Sequence, residues 1–248
     1  MRGILFFLLT PLFSFSQTYD VLFIGNSYTY YNDLPEMISS IANDFGDSIN
    51  HDQSTPGGTS LYAHSQNQAT INKINQQNWD YIVLQDQSQR PSLSPSYVAA
   101  NVYPYASQLV SLIDSNYICS EPIFYMTWGR KYGDQTNCNT YPPVCTFLGM
   151  QERLRESYLY MGLNNEAAVS PVGMSFKNSI ALDSTIDLYT TDYSHPSIYG
   201  SYLAACTFYS TIFKKSSVGC SYKPSTISQS EALFLQQVAS STVLDSMS

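Results

Sequence analysis

Short apolar runs, each ending in a small polar cluster and followed by a helical pattern, constrain this chain more than any other feature. Residues 20–24 (DVLFI), 81–84 (YIVL) and 123–127 (IFYMT) are too short to be helices of their own. They also lack polar alternation, which is the pattern of strands buried on both faces. Weaker strands are expected over 48–52 and 167–169. Helical patterns occupy 33–46, 61–77, 95–116, 147–161, 196–213 and 228–244, and 170–191 reads as a loop. In the first helix Asp33 stands at the cap, Pro35 lies in the first turn and Glu36 follows three residues after the cap. Its apolar stripe is Leu34, Met37, Ile38, Ile41 and Ala42. Strands alternating with helices imply right-handed crossovers and a parallel sheet held between helical layers. Ligands of such sheets bind beyond the carboxyl ends of the strands, so the segment after each strand is where chemistry is expected.

The first segment of the chain reads as an address. Arg2 precedes an apolar stretch from Ile4 to Phe13, and Ser14 and Ser16 supply small residues at a cleavage site. This predicts a signal peptide over 1–16, a single domain over 17–248, and a secreted or periplasmic product with no membrane association after cleavage. The chain has 11 Lys and Arg against 19 Asp and Glu, a formal charge of -8. That balance excludes a phosphate-tracking nucleic-acid binder and disfavours polyanionic substrates. Export permits disulfides among the five cysteines. Cys138 with Cys145 and Cys206 with Cys220 are the plausible pairs, leaving Cys119 as a small core residue. No Cys-x-x-Cys occurs, so zinc and redox chemistry have little support.

Four polar clusters follow strands or precede a helix. Gly25-Asn26-Ser27 can place a serine hydroxyl above the sheet in a tight turn. Pro56-Gly57-Gly58-Thr59-Ser60 can present a backbone N–H to a ligand. Gln85-Asp86-Gln87-Ser88-Gln89 crowds carboxamides at the end of a buried strand, where one could donate to an oxyanion. Asp192-Tyr193-Ser194-His195 can hold an imidazole by its Nδ1 and leave Nε2 as a base. Each cluster alone is equally an ordinary turn or cap; the ordered set is more specific. Of the other histidines, His64 is expected on a solvated helix face and His51 at the end of the second strand.

This order resembles the SGNH (GDSL-like) hydrolase superfamily, whose blocks carry Ser, Gly, Asn and His. The resemblance implies a flavodoxin-like three-layer α/β/α sandwich, with a central, mainly parallel sheet of about five strands. It implies ester hydrolysis, often of acetyl or acyl groups on carbohydrates, with no cofactor and no metal. The nucleophile falls on Ser27, the acid and base on Asp192 and His195, and the oxyanion donors on Ser27, Gly57 and Gln87. Two departures stand out: Asn26 replaces the usual Asp, and the third block has no Gly-x-Asn-Asp, so Gln87 or Gln85 stands where the oxyanion Asn belongs. Exported bacterial proteins with a Leu-Gln-x-Gln-Ser third block are the most similar subgroup. Gly46-Asp47-Ser48 spells the name motif better but precedes a strand, at the wrong edge of the sheet. Trp128, Tyr28, Tyr30 and Tyr193 are candidates for a sugar-stacking rim. Two other readings remain: a non-catalytic carbohydrate-binding module on the same fold, and a lipase or thioesterase for longer acyl chains.

Overall fold

A computed structural model describes residues 16–245; all but the last residue of the expected signal peptide lies outside the described residues. In chain order the main elements are β1 Thr18–Ile24, α1 Ser27–Tyr30, α2 Leu34–Asp44, β2 Ser48–Ser54, α3 Leu61–Gln66, α4 Gln68–Ile74, β3 Tyr81–Leu84, α5 Pro95–Asn101 and α6 Tyr103–Asn116. They continue with β4 Glu121–Tyr125, α7 Phe147–Asn164, β5 Ala168–Ser170, α8 Val172–Leu182, α9 Ile198–Phe213 and α10 Gln229–Leu244.

The five strands form one sheet in the order β2-β1-β3-β4-β5, and every pairing is parallel. Strand β1 shows why the run had to be continuously apolar. Val21 and Phe23 face a core built with α2, α8, α9 and α10, while Leu22 and Ile24 face a second core built with α3 to α7. All four are fully buried, each worth about 1.5–3 kcal/mol of apolar burial. The result is a three-layer α/β/α sandwich. Ile24 pairs with both Ser54 and Leu84, so Gly25, Thr55 and Gln85 leave the sheet level with one another at one edge. The strand order reverses direction at β1, which opens a crevice between β1 and β3 at their carboxyl ends.

Several local expectations are corrected. The helix expected over 61–77 is two helices, because the Asn67 side chain accepts from the Ala69 and Thr70 amides and starts a new one. The helix expected over 95–116 breaks at Val102; Pro104 has no N–H to give and crowds the preceding turn. The expected loop over 170–191 contains α8, whose buried face includes Gly173, Ser175 and Ser179 and so carries a weak apolar signature. A Cβ on Gly173 would lie 2.1 Å from the Thr127 carbonyl oxygen, so this helix packs by smallness. Asp33 sits in the left-handed region (φ 54°) and its side chain makes no cap hydrogen bond.

One of the two expected cysteine pairs forms and the other does not. Cys138 and Cys145 are disulfide-bonded. Cys206 and Cys220 are buried free thiols, and Cys119 is exposed rather than in the core. Gly46-Asp47-Ser48 lies at the amino edge of the sheet, where Asp47 is buried in an ion pair with Lys215 at 2.8 Å.

Candidate active site

The turn after β1 is built to hold one serine still. Asn26 caps the four-residue helix α1, its Oδ1 accepting from the Tyr28 amide at 3.1 Å. Its Nδ2 donates to the Thr59 carbonyl at 2.8 Å, tying the turn to the loop after β2. Gln85, fully buried, ties it to the loop after β3: its Oε1 accepts from the Asn26 amide at 3.0 Å and the Thr29 hydroxyl at 2.9 Å. Gln85 Nε2 donates in turn to Asn26 Oδ1 at 3.0 Å. Gly25 is required by this closeness, since a Cβ there would lie 2.4 Å from Thr29 Oγ1 and 2.6 Å from Gln85 Oε1.

His64 belongs to the same support and not to a solvated face. It is fully buried, Nε2–H donating to the Gly25 carbonyl at 2.8 Å while Nδ1 accepts from the Thr70 hydroxyl at 3.0 Å. Burial holds its pKa below the ordinary imidazole value, consistent with a neutral ring fixed in one tautomer. His51 lies within β2, 3.3 Å from Glu36, rather than at the strand's end.

The loop before α9 brings the second half of the site. Asp192 Oδ1 accepts from the Ser194 and His195 amides, both at 2.9 Å, and from the Thr190 hydroxyl at 2.8 Å. Its Oδ2 accepts from His195 Nδ1 at 2.5 Å, and His195 Nε2 accepts from the Ser27 hydroxyl at 2.9 Å. Burial alone would raise the Asp192 pKa, but the bonds from His195 and the two amides outweigh it and hold the carboxyl well below the usual range. The loop reaches this geometry with Tyr193 in the left-handed region (φ 62°), a conformation a bulky residue adopts only when its surroundings impose it. Tyr31 stacks on the His195 ring at 4.8 Å.

Trp128 and Tyr28 are not rim residues: both are buried, stacked 4.6 Å apart, with Phe176 on the other face of the indole at 4.2 Å. Trp128 Nε1 donates to the Ser194 carbonyl at 3.0 Å, and the Tyr28 and Ser194 hydroxyls share a bond at 2.6 Å. The pair thus forms a floor under the Asp192–His195 loop. Tyr30 and Tyr193 are about half exposed.

Ser27 and His195 line a cleft of about 240 Å³ together with Asn26, Gly58, Gln87 and Arg130. Gln87 stands in its wall, with Oε1 accepting from the Gln89 amide at 2.9 Å, whereas Gln85 lies beneath the serine turn. Gly58, in the left-handed region (φ 71°), lines the cleft; Gly57 sits one residue back, near the Tyr30 hydroxyl. Asp86, between the two glutamines, is fully buried, and burial pushes its carboxyl up to about 6 against the pull of Arg90. A larger hollow of about 570 Å³ lies by Glu121 and Ala168, at the amino ends of β4 and β5, away from the serine–histidine pair. Sequence reasoning missed Asn26, Gln85, His64 and Trp128 as supports. Only the crowding of carboxamides after a buried strand hinted at one of them.

No protein-family model and no curated protein sequence matches the chain. Solved structures do. A DUF4886 family protein from Bacteroides uniformis superposes with a TM-score of 0.76 at 19% identity, over 92% of this chain and 95% of that one. An SGNH hydrolase candidate from Slackia heliotrinireducens gives 0.64 at 23% identity, over 79% and 100%. The acetyl xylan esterase AlAXEase gives 0.57 at 13% identity, over 78% and 99%. The fold is that of the SGNH and GDSL-like hydrolases.

Proposed function

We propose that this protein is an exported serine esterase that removes short acyl groups, acetyl above all, from carbohydrate esters. The observation that carries the reading is the continuous chain of hydrogen bonds from Ser27 Oγ through His195 to Asp192, set at the carboxyl edge of a parallel sheet. In the acylation step Ser27 Oγ attacks the ester carbonyl as His195 Nε2 takes its proton. Asp192 keeps the ring in the tautomer that leaves Nε2 free and stabilises the imidazolium. The imidazolium then gives its proton to the sugar ester oxygen as the acyl C–O bond of the tetrahedral intermediate breaks, so the sugar leaves as its alcohol and the acyl group stays on Ser27. Water, deprotonated by the same nitrogen, cleaves the acyl–serine bond and returns the enzyme. The oxyanion is assigned to the amides of Ser27 and Gly57 and the side chain of Gln87; one such donor is typically worth ~10²–10³ in turnover.

Cleft size supports the short-chain form. About 240 Å³ is below the ~300–1,000 Å³ of pockets that enclose drug-sized ligands. AlAXEase, by its name, deacetylates a glycan on the same fold. Uncharged lining groups (Asn26, Gln87, Ser88, Ser194) suit sugar hydroxyls.

The test is Ser27→Ala assayed on 4-nitrophenyl acetate beside the wild type, with thermal unfolding as a control. Loss of hydrolysis at unchanged melting temperature is expected; wild-type turnover in the variant would refute the reading. A fluorophosphonate probe should label Ser27, and a wild-type protein that stays unlabelled would instead favour a binding module. Esters of increasing chain length should be hydrolysed ever more slowly, and a preference beyond about eight carbons would rule out the short-acyl cleft.

A further inference from the structure

One cation in the cleft has no counterion. Among the described residues, Arg90, Arg153 and Arg155 each have a carboxylate within 4.0 Å. The next residue along, Lys131, pairs with Asp187 at 2.7 Å. Arg130 forms no ion pair among the described residues, although its side chain lines the same cleft as Ser27 and His195. Its Nε is buried and has no hydrogen-bond partner. A guanidinium carries five donors in a planar fork, and leaving one of them buried and unpaired is costly. Two other residues of the cleft wall, Tyr28 and Ser194, are bonded to each other through their hydroxyls. Arg90 and Arg153 also have an unpaired buried Nε, but each has a carboxylate nearby, so what sets Arg130 apart among the described residues is the lack of an ion-pair partner beside the serine–histidine pair.

We propose that Arg130 is a carboxylate-recognition residue, and that the natural substrate is an acyl ester of a carboxylate-bearing sugar. The inference rests on the esterase reading and deepens it. Arg130 and Ser27 share a space of about 240 Å³, so the carboxylate and the scissile ester must sit on the same sugar or on adjacent ones. Guanidinium geometry matches a carboxylate in bidentate fashion, which fixes orientation as well as charge. The remainder of the cleft wall, Asn26, Gln87, Ser88 and Ser194, is neutral and suited to the hydroxyls. A formal charge of -8 disfavours a densely charged polymer, so a sparsely charged glycan fits both the local cation and the acidic whole.

The experiment compares monoacetylated methyl glucuronoside with monoacetylated methyl glucoside, which differ by a carboxylate in place of a hydroxymethyl group. Wild-type kcat/KM should favour the acidic ester by about 10- to 100-fold, as a charge-assisted hydrogen bond provides. Arg130→Gln should bring that ratio close to one, chiefly through KM for the acidic ester. Arg130→Lys should restore part of it, because the charge returns without the fork. Equal use of both esters by the wild type, or an equal loss on both in Arg130→Gln, would overturn the proposal. A second readout needs no turnover: glucuronate should bind the Ser27→Ala protein at least ten-fold more tightly than glucose by calorimetry. That preference should vanish in Ser27→Ala/Arg130→Gln. If Ser27→Ala retains full hydrolysis, the esterase reading fails, and the glucuronate titration still decides the Arg130 subsite by itself.

Discussion

Asp86→Asn separates charge from geometry at the loop that follows β3. The wild-type carboxyl is fully buried; its Oδ1 accepts from the Leu61 amide at 3.1 Å and the Gln87 amide at 2.7 Å, and its Oδ2 has no partner. Arg90 Nε lies 3.7 Å away, too far to offset burial, so the carboxyl is raised from the ordinary 3.8 to about 6. Below about pH 4 the group is protonated in both folded and unfolded chains and contributes nothing. Between about pH 4 and 6 the folded protein holds a proton that the unfolded chain has released, so stability falls as pH rises. Above that window both states are ionised and the penalty is constant. At 1.36 kcal/mol per pH unit it amounts to at most about 3 kcal/mol. Asparagine keeps the Oδ1 acceptor and cannot ionise, and any cost of burying its NH₂ is the same at every pH. Urea unfolding of both proteins from pH 4 to pH 8 is the assay. The variant should gain on the wild type by up to about 3 kcal/mol between pH 4 and 7 and hold that gain above. A difference constant to within about 0.5 kcal/mol, comparable to the extrapolation error, would refute dominance of burial. A difference shrinking as pH rises would show that Arg90 wins.

Three further outcomes follow from the site. Asp192→Asn should lower kcat on 4-nitrophenyl acetate by on the order of 10³–10⁴ with little change in melting temperature, because the wrong histidine tautomer is then favoured; an unchanged rate would make Asp192 purely structural. Gln85→Leu strands the Asn26 amide and the Thr29 hydroxyl, at about 1–3 kcal/mol for each buried orphan. It should therefore lose both stability and turnover, and a loss under about 1 kcal/mol in urea unfolding would contradict that reasoning. Gly25→Ala forces a methyl to within 2.6 Å of Gln85 Oε1, so about 1–3 kcal/mol of strain and a sharp fall in kcat are expected. A crystal structure of an active Gly25→Ala protein with Gln85 unmoved would count against it.

Legibility in the sequence tracked physical cause. The strands at 20–24 and 81–84 were readable because burial on both faces leaves no room for polar residues, and their ends located the loops that matter. Ser27, Asp192 and His195 stood out through the order of their clusters along the chain and the resemblance that order carries, since each cluster alone reads equally as a turn or cap. Helix α8 was not, since close packing against its neighbours selects glycine and serine where a periodicity argument looks for large apolar residues. His64 was misplaced for a related reason. Its helix of six residues is too short to show a stripe, and the histidine's burial depends on the Gly25 carbonyl and Thr70 from elsewhere in the chain. Trp128 was misjudged because the same aromatic ring serves a sugar platform and a buried floor, and only the stack with Tyr28 and Phe176 distinguishes them.

The two departures from the family pattern turn out to be one arrangement. Asn26 and Gln85 meet as amide to amide, each side chain donating or accepting toward the other's segment. Were residue 26 an aspartate, Oδ1 could still cap the Tyr28 amide and accept from Gln85 Nε2, but no donor would remain for the Thr59 carbonyl. With asparagine in place, one side chain satisfies the serine turn, the loop after β2 and the loop after β3 without introducing a charge beneath Ser27. Gln85 is then committed to support, whereas Gln87, two residues on, stands in the cleft wall with its Oε1 accepting from the Gln89 amide and its Nε2 donating to Gln89 Oε1, which leaves one Nε2 hydrogen for a further acceptor. The ionic groups that reach the reaction are accordingly few. Asp192 lies behind the histidine and Arg130 lines the cleft, so in the proposed reaction the charge balance of the transition state would be set by these two residues and by what the substrate brings.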